Sequence, residues 1–480
     1  MLIPFSPPPG LNSDETTFSA PGWADGNNVR FVNGKPQAIG GWAAYTGAMT
    51  GITRGMFAYS VDATTYLAAG NVGKLYRIGS GVAGDITPVG LGGGAGTIGW
   101  SFGAFGNNLL ASPVNGTIYE YTGGATATEI TQAPDVITGG ILITPERQVL
   151  ALACSEEVSG STNYRVIRGC DLEDPTDWTS TTSNNAFEHV LDDPGKINAG
   201  RMIGPYVGVW TTASLWMGQF IGDPAQTYRF DRIGTGCGLL GMRCVSVAGQ
   251  RAFWVTPDIR FFTWAPGSEP VALNCPISVE LRKNLDFAVT GYLPFTVFNA
   301  FYRELWFFYP DKRDNTGDVS RYVAVNVDTG TWFKGQMART AAVDTAGVFI
   351  STSTYPPHTM FMANASDLKI YRHEDAAAQS VVTWHVQSND QYLEESRRRI
   401  MVKGIIPDFE DQSGNVSLTL YVRDRPHSTP VTKGPYTLTT STTKKDFRAS
   451  GKIMAAKFSG SGTYMRLGKP LFEAQPTGER

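Results

Sequence analysis

The side chains that most often perform chemistry are present in this sequence, but not in the groupings that such chemistry requires. The five histidines occur singly along the chain, at His189, His358, His373, His385 and His427. No G-x-S-x-G nucleophile elbow, H-E-x-x-H zinc pair or C-x-x-C pair is present. Adjacent acidic residues such as Glu156 and Glu157 would point to opposite faces of a strand, which does not suit the two facing carboxylates of a glycosidase. We therefore predict that the protein is not an enzyme and holds neither a metal ion nor a cofactor.

One literal G-x-G-x-x-G occurs, at Gly236, Gly238 and Gly241. In a dinucleotide-binding unit this motif opens a helix, because the helix amino terminus binds the pyrophosphate. Here the strand-like run MRCVSVAG comes next. We predict a glycine-rich loop between blades of a β fold, not a nucleotide site.

The densest charge cluster is EESRRRIMVK, in which Arg397, Arg398 and Arg399 come after two glutamates. Three adjacent guanidinium groups can bind phosphate or an acidic neighbouring chain. The mixed charges give little net field, so ion pairs in solvent or between subunits remain the alternative.

Composition narrows the class of protein. The 480 residues include 40 basic and 43 acidic side chains, a net charge of −3, which argues against wrapping the whole chain with nucleic acid. With 42% hydrophobic and 17% charged residues the chain is not generally disordered. Its 54 glycines, 28 prolines and 11% aromatic residues favour many short strands joined by tight turns.

Targeting and redox signals are weak. The start, MLIPFSPPPGL, lacks a basic region and is interrupted by prolines, so we expect no signal peptide. No apolar run reaches the length of a membrane span. Five cysteines without a C-x-x-C pair are typical of reduced thiols and of synthesis in the cytosol.

A hairpin-like unit recurs along the chain: an apolar run, a polar turn and a second apolar run. Its seven copies are centred on Tyr76, Tyr119, Ile167, Trp216, Phe261, Val325 and Tyr371. A four-stranded propeller blade needs roughly 40 to 50 residues, close to this spacing. We predict an all-β fold, a β-propeller of about seven blades (six to eight), whose aromatic residues pack between blades. A sandwich built from the same hairpins is the alternative.

Beyond about residue 380 the chain has fewer tryptophans and more Ser and Thr, with alternating strands such as VSLTLYVRD. This pattern predicts a smaller C-terminal β-sandwich-like module. The predicted division is 1–49 for an N-terminal arm and opening hairpin, 50–389 for the propeller and 390–480 for the C-terminal module.

Three segments carry a family resemblance. They are Asn28 to Pro36 with Ile39 to Trp42, the central run Ser214 to Leu273, and the end from Met465 to Leu471 and Pro476 to Arg480. Together they resemble the tail hub and nozzle proteins (tail tubular, packaged-DNA stabilisation type) of short-tailed bacteriophages. The resemblance implies a structural subunit in a homohexameric ring below the portal and adaptor proteins, which retains packaged DNA and conducts it into the host. It implies a place in the virion tail, with synthesis and assembly in the host bacterial cytoplasm, and leaves open whether a tail fibre or needle docks.

The resemblance also assigns roles to individual parts of the chain. DNA would pass through the lumen without sequence-specific binding, which suits a near-neutral chain. Arg397, Arg398 and Arg399 would contact neighbouring subunits or the adaptor. The glycine-rich stretch Gly90 to Gly106 would be a moving loop or a site of close blade packing.

Two other functions stay open. One is a carbohydrate-binding or glycoside-cleaving propeller, favoured by the many aromatic residues and by the turn Asp328 to Trp332, which partly resembles the Asp box of sialidases. The other is a propeller that recruits protein partners.

Overall fold

The fold is almost entirely β-structure. In a computed structural model of the chain, residues 1–20, 22–288, 292–345, 348, 358–392, 398–426 and 428–477 are described. Within these ranges the chain forms 42 strands, one α-helix, α1 (Ser278–Asn284), and one 3-10 helix (Ala376–Val381).

Twenty-eight of the strands form seven four-stranded antiparallel sheets, or blades. Blade 1 contains β6 (Thr53–Val61), β7 (Thr64–Asn71), β8 (Lys74–Gly79) and β9 (Val82–Asp85), and blade 2 contains β10 (Trp100–Phe105), β11 (Asn108–Pro113), β12 (Tyr119–Tyr121) and β13 (Thr128–Glu129). Blade 3 contains β14 (Ile141–Ile143), β15 (Val149–Leu152), β16 (Val166–Gly169) and β17 (Phe187–Val190), and blade 4 contains β18 (Ile197–Ile203), β19 (Tyr206–Thr211), β20 (Ser214–Asp223) and β21 (Gln226–Thr235). Blade 5 contains β22 (Val245–Ala248), β23 (Arg251–Val255), β24 (Phe261–Trp264) and β25 (Val271–Leu273). Blade 6 contains β26 (Phe295–Asn299), β27 (Glu304–Tyr309), β28 (Arg321–Asn326) and β29 (Trp332–Gln336). Blade 7 contains β30 (Ala341–Asp344), β31 (Met360–Ala363), β32 (Ile370–Asp375) and β5 (Gly41–Ala44).

The blades close into a ring. The first strand of each blade contacts the first strand of both neighbouring blades, and β30 of blade 7 contacts β6 of blade 1. The fourth strand of blade 7 is β5, which comes from the amino-terminal part of the chain. A closed ring of this kind leaves no blade without a partner on each side. The predicted seven-bladed propeller is confirmed.

The seven centres of the sequence repeat all fall on the same structural position. Each lies on the third strand of its blade: β8, β12, β16, β20, β24, β28 or β32. The period was readable because each blade repeats one order of buried strand, turn and strand, and the third strand carries the most regular apolar pattern.

Aromatic rings pack between neighbouring blades, as predicted. Trp210 of blade 4 contacts Trp254 of blade 5, with ring centroids 5.5 Å apart. Phe261 of blade 5 and Trp332 of blade 6 lie 4.8 Å apart. Burial of such large rings is the main source of cohesion between sheets that share no hydrogen bonds.

The remaining strands form a second module from both ends of the chain. They are β1 (Leu2–Pro4), β2 (Trp23–Asn27), β3 (Val29–Val32), β4 (Lys35–Ala38), β33 (Thr383–Ser388), β34 (Gln391–Tyr392), β35 (Ile400–Ile406), β36 (Phe409–Ser413), β37 (Val416–Arg423), β38 (Val431–Leu438), β39 (Lys445–Gly451), β40 (Ile453–Ser461), β41 (Tyr464–Leu467) and β42 (Leu471–Pro476). Their sheet orders are β1-β42-β35-β39, β2-β33-β40-β37-β38 with β34 beside β40, and β3-β4-β41-β36. Every one of these sheets therefore joins amino-terminal to carboxy-terminal strands.

A single apolar core fills this module. The ring of Phe5 lies 6.2 Å from that of Phe458 on β40 and 5.4 Å from that of Phe472 on β42, so it joins two sheets. Side chains of β37 alternate between buried and partly exposed along its whole length, as expected for a strand with one face on a core.

Strand pairing divides the chain differently from the sequence at two points. Residues 41–44 fell in the predicted arm, but they pair with β32 in the propeller. Residues 383–388 fell in the predicted propeller, but they pair with β2 and β40 in the second module. Both segments pair with strands more than 300 residues away or in the other module, and local patterns carry no information about such pairing.

Candidate functional site

The predicted contact residues lie at the edge of the second module. Arg397 falls outside the described residues. Arg398 and Arg399 are exposed immediately before β35. One guanidinium nitrogen of Arg399 lies 3.5 Å from the carboxylate of Asp424, and its carbonyl oxygen accepts a hydrogen bond from the amide of Thr477. Both side chains thus lie on the surface, and their role in contacts with other chains stays a prediction.

A buried arginine ties the second module to two blades. Arg30 on β3 is fully buried, and its guanidinium lies 3.0 Å from the carboxylate of Glu304 at the start of β27 in blade 6. The same guanidinium donates to Glu374 on β32 of blade 7, at 2.9 Å for one nitrogen. The ring of Tyr302 covers it, 3.7 Å from the guanidinium carbon. One side chain therefore links three parts of the fold.

Charge and burial oppose each other at this contact. Burial alone would lower the pKa of Arg30, but Glu304 and Glu374 raise it above its usual value, so the guanidinium stays charged. Burial raises the pKa of the Glu304 carboxyl to about 7, although Arg30 and the indole N–H of Trp306 act in the opposite direction. Glu304 thus depends on Arg30 for its charged state.

A second, more open network lies where α1, β2 and blade 6 meet. The Lys334 ammonium on β29 lies 2.9 Å from Asp25 and 2.6 Å from Glu280. Asp25 also contacts Nε2 of His385 at 3.0 Å, and Glu280 contacts Arg313 at 3.2 Å. These groups border a cavity of about 370 Å³. The junction between modules is therefore charged as well as apolar.

This network predicts a pH dependence. Burial tends to raise the pKa of Asp25, but the contacts with His385 and Lys334 outweigh it and hold the pKa well below its usual 3.8. A depressed carboxyl pKa adds stability above the unfolded value and loses it as the pH falls below about 4. We expect Asp25→Asn to lower the melting temperature by a constant amount from pH 7 to pH 5, and by progressively less toward pH 3. Thermal unfolding followed by circular dichroism measures this, with Asp231→Asn, in an exposed pair with Arg229, as the control. A deficit that does not shrink in acid would contradict the assignment.

The axis of the propeller is closed at the end where the first strands of the blades begin. Arg243, just before β22, is buried, and its guanidinium donates to the carbonyl oxygens of Arg54 and Thr340, each at 2.8 Å. It also donates to the carbonyl oxygen of Leu293. These acceptors belong to blades 1, 7 and 6, so one side chain from blade 5 crosses the centre. Burial, with a smaller effect of Arg54, lowers the pKa of Arg243 to about 10.

The turn that carries Arg243 comes after the G-x-G-x-x-G run. Gly236 to Gly241 lies between β21 and β22, so it connects blades 4 and 5, and it leads into a strand. The prediction of a loop between blades is confirmed. The next residue, Met242, reaches blades 2 and 3: a Cβ at Gly99 would lie 3.5 Å from its sulfur, and one at Gly140 would lie 3.3 Å from its methyl carbon.

The glycine-rich stretch Gly90 to Gly106 runs from the end of blade 1 into β10 of blade 2. A Cβ at Gly103 would lie 2.4 Å from Ile143 of blade 3, so this glycine permits close blade packing. Positions 90, 92, 93 and 94 have open space around them. Movement of this segment stays a prediction.

A cavity of about 340 Å³ lies at the rim of blades 6 and 7. Phe301, with 64% of its surface exposed, and Tyr302 form one side of it. Glu374 and Asp375 lie on another side. Asn299 is buried at this cavity, and its amide nitrogen has no hydrogen-bond partner among the described residues. An aromatic face with amide and carboxylate groups is a suitable surface for a polar, uncharged ligand.

Other candidate groups are accounted for by local contacts. The described residues contain no cluster of three or more His, Cys, Asp or Glu side chains that could bind a metal ion. The acidic loop of blade 6 pairs with arginines: Asp311 with Arg313, Asp314 with Arg321, and Asp318 with Arg54. All five cysteines are free thiols. Across the described ranges, no helix has the length and apolar character needed to cross a membrane.

Sequence patterns missed the residues that organise these sites. Arg30 and Arg243 stand in runs that look like ordinary polar positions of strands and turns. Their burial results from partners 50 to 344 residues away, which no local pattern predicts. The one available signal for Arg30 is its position inside the hairpin that carries the family resemblance.

Comparison with known proteins gives a fold and no family. No family model matches the chain, and no curated protein matches it. Among solved structures, the β-propeller domain of Cps50 (Swd1) from Myceliophteria thermophila has 11% identity and a TM-score of 0.41, and the match covers 71% of this chain and 99% of that one. BBS1N, solved in complex with ARL6DN, has 9% identity and a TM-score of 0.44, with the same coverage of both chains. Scores this low carry no functional inference, and the closed ring of seven blades itself identifies the chain as a β-propeller protein.

Proposed function

We propose that this chain is a structural subunit of the tail hub or nozzle of a short-tailed bacteriophage, assembled as a ring of six below the portal and adaptor. The observation that carries the proposal is the pairing of its two terminal resemblance segments. β4, from the opening segment, pairs with β41, from the closing segment, through Gln37 and Arg466. Segments that are more than 400 residues apart in sequence thus belong to one sheet, as expected if they are the signature of one structural unit.

The chain is also closed in a way that suits mechanical load. The propeller is completed by an amino-terminal strand, and the amino group of Met1 donates to the carbonyl oxygen of Ala474 at 2.7 Å. Neither module can open from a chain end without losing the pairing of the other. A subunit that resists the pressure of packaged DNA benefits from such closure.

DNA would pass between subunits and not through a propeller. The axis of this propeller is blocked by Arg243 and is too narrow for a duplex. A lumen would therefore be formed by several copies around a common axis, through heterologous contacts in which different faces of neighbouring subunits meet. No side chain needs to perform chemistry in this mechanism.

The arginine cluster is our proposed contact with neighbouring subunits or the adaptor. Replacing Arg397, Arg398 and Arg399 together with Ala should weaken ring assembly by at least tenfold in concentration, because three charges that bind an acidic surface are lost. Light scattering across a concentration series measures the effect. Arg303→Ala, in the exposed pair with Asp328 on blade 6, is the matched control. Unchanged assembly of the triple variant would contradict this role.

The proposal as a whole is tested in the virus. Particles made without this chain should package DNA but fail to retain it, because the exit below the portal is open. DNA retention in purified particles, measured by nuclease sensitivity, gives the answer, and supplying the chain in trans should restore protection. Particles that lack the chain and still retain and eject DNA normally would refute the proposal.

A second candidate function is saccharide binding at the rim cavity of blades 6 and 7. The favouring observation is the combination of the exposed Phe301 ring and the unpaired amide of Asn299 at one cavity. A glycan array with the wild type and Phe301→Ala would detect it. Absence of any signal from the wild type would remove this candidate.

A further inference from the structure

The propeller axis contains a chamber that the proposed function does not use. It has a volume of about 500 Å³ and is lined by the first strands of blades 1 to 4. Its wall includes partly exposed apolar side chains, among them Met56, Phe57, Phe102, Ile143 and Met202. Small-molecule pockets have volumes of about 300 to 1,000 Å³. Apolar surface left in contact with water at the centre of a fold favours a ligand with an apolar body.

One cation projects into this apolar wall. Arg201 on β18 donates to the carbonyl oxygen of Gly200 at 2.8 Å and to that of Met242 at 3.3 Å. No carboxylate of the described residues lies within ion-pair distance of it. Burial lowers its pKa to about 10, so it remains charged at neutral pH. A guanidinium held only by carbonyl groups in an apolar wall is short of a negative partner.

The surrounding charges leave this cation without neutralisation. Arg54 is paired with Asp318, at 2.7 Å. Arg243, which adjoins the Met242 carbonyl that Arg201 contacts, is held by carbonyl oxygens alone among the described residues. The axis therefore carries two positive charges without a carboxylate partner in a chain whose net charge is −3. An anion at the axis would reduce their mutual repulsion.

We propose that the axial chamber binds an organic carboxylate with an apolar body, the carboxylate on Arg201 and the body against Phe57 and Phe102. A guanidinium offers two parallel N–H donors to a carboxylate, and the apolar wall accepts a hydrocarbon chain. The carboxylate can belong to a free acid or to the carboxyl-terminal residue of a peptide. This inference goes beyond the tail-hub proposal and does not depend on it.

Calorimetric titration of the full chain tests the proposal with octanoate, octanol and octylammonium as probes. Octanoate should bind at least tenfold more tightly than octanol, and octylammonium should not bind. Arg201→Gln should weaken octanoate binding by about 10- to 100-fold and leave octanol binding unchanged. Arg229→Gln, at an exposed arginine on the β20–β21 hairpin, is the matched control and should bind as the wild type does.

Two further variants keep the test informative if Arg201→Gln is unstable. Arg201→Lys should retain octanoate binding within several-fold. Ala104→Glu, at an exposed position of the chamber, should abolish it, because the new carboxylate would pair with Arg201. Acetyl-leucyl-leucine, compared with its amide, separates the sources: binding of the acid as well as octanoate indicates a peptide end, and binding of octanoate alone indicates a free acid. Equal binding of octanoate and octanol, no binding of octanoate by the wild type, or octanoate binding unaffected by Arg201→Gln would overturn the proposal.

Discussion

Replacing Arg30 with Met is expected to lower the free energy of unfolding by about 3 to 5 kcal/mol, the usual cost of removing one partner of a buried ion pair. Arg30 is fully buried and Glu304 is 2% exposed, so the variant leaves a carboxylate in the interior without its cation. Because burial already raises the pKa of Glu304 to about 7, that carboxyl should take up a proton near neutral pH in the variant, which limits the cost. Guanidinium-induced unfolding followed by tryptophan fluorescence measures the change.

A matched control lies on the same hairpin. Lys35 pairs with Glu410 at 3.2 Å, but both side chains are more than 40% exposed. Lys35→Met should therefore change stability by about 0 to 1 kcal/mol. Adding Glu304→Gln to Arg30→Met should recover part of the loss, since the charge that had lost its partner is gone. A loss no larger than that of Lys35→Met would show that Arg30 does not organise the junction.

Replacing Arg243 with Met should be nearly as damaging, with a loss of about 3 kcal/mol. Its guanidinium satisfies carbonyl oxygens from blades 1, 6 and 7, and each buried acceptor left without a donor costs about 1 to 3 kcal/mol, reduced where water enters the channel. Arg243→Lys should fall between the wild type and Met, because an ammonium has fewer donors to share among these carbonyls. Thermal and denaturant unfolding of the three proteins measure the order.

Arg251→Met is the control for this series, because Arg251 is exposed on β23 of the same blade. Hydrogen exchange adds a readout specific to the axis: amides of β6, β26 and β30 should exchange faster in Arg243→Met and remain protected in Arg251→Met. Equal stability of Arg243→Met and the wild type would mean that the blades hold the ring without this side chain.

The blade repeat was predictable because each blade is encoded locally. Tyr76, Trp216 and Phe261 stand at the same strand of their blades, and each is buried by its own sheet and the adjacent one. Turn residues and aromatic positions repeat with the blade, so periodicity alone identifies the propeller. The glycine-rich loop after β21 was predictable for the same reason, since the run from Met242 to Gly249 has the residue pattern of a strand and not of a helix.

Ring closure and module boundaries were not predictable, because they depend on pairing between distant segments. Gly41 to Ala44 has no feature that distinguishes a blade strand from a strand of the arm. Thr383 to Ser388 alternates like any strand and joins β2 and β40 through partners from both ends of the chain. Arg30 and Arg243 have the sequence environment of surface arginines, and only the assembled fold buries them.

The central proposal is a ring-forming tail subunit, and the mass of the assembled protein tests it most directly. Six copies of the 51.9 kDa chain would have a mass of about 311 kDa. Light scattering of the purified protein, alone and with the portal and adaptor proteins of the same phage, should give this ring or its addition to the portal–adaptor complex. A monomer that persists under both conditions, at every concentration tested, would contradict the proposal and favour saccharide binding at the rim cavity.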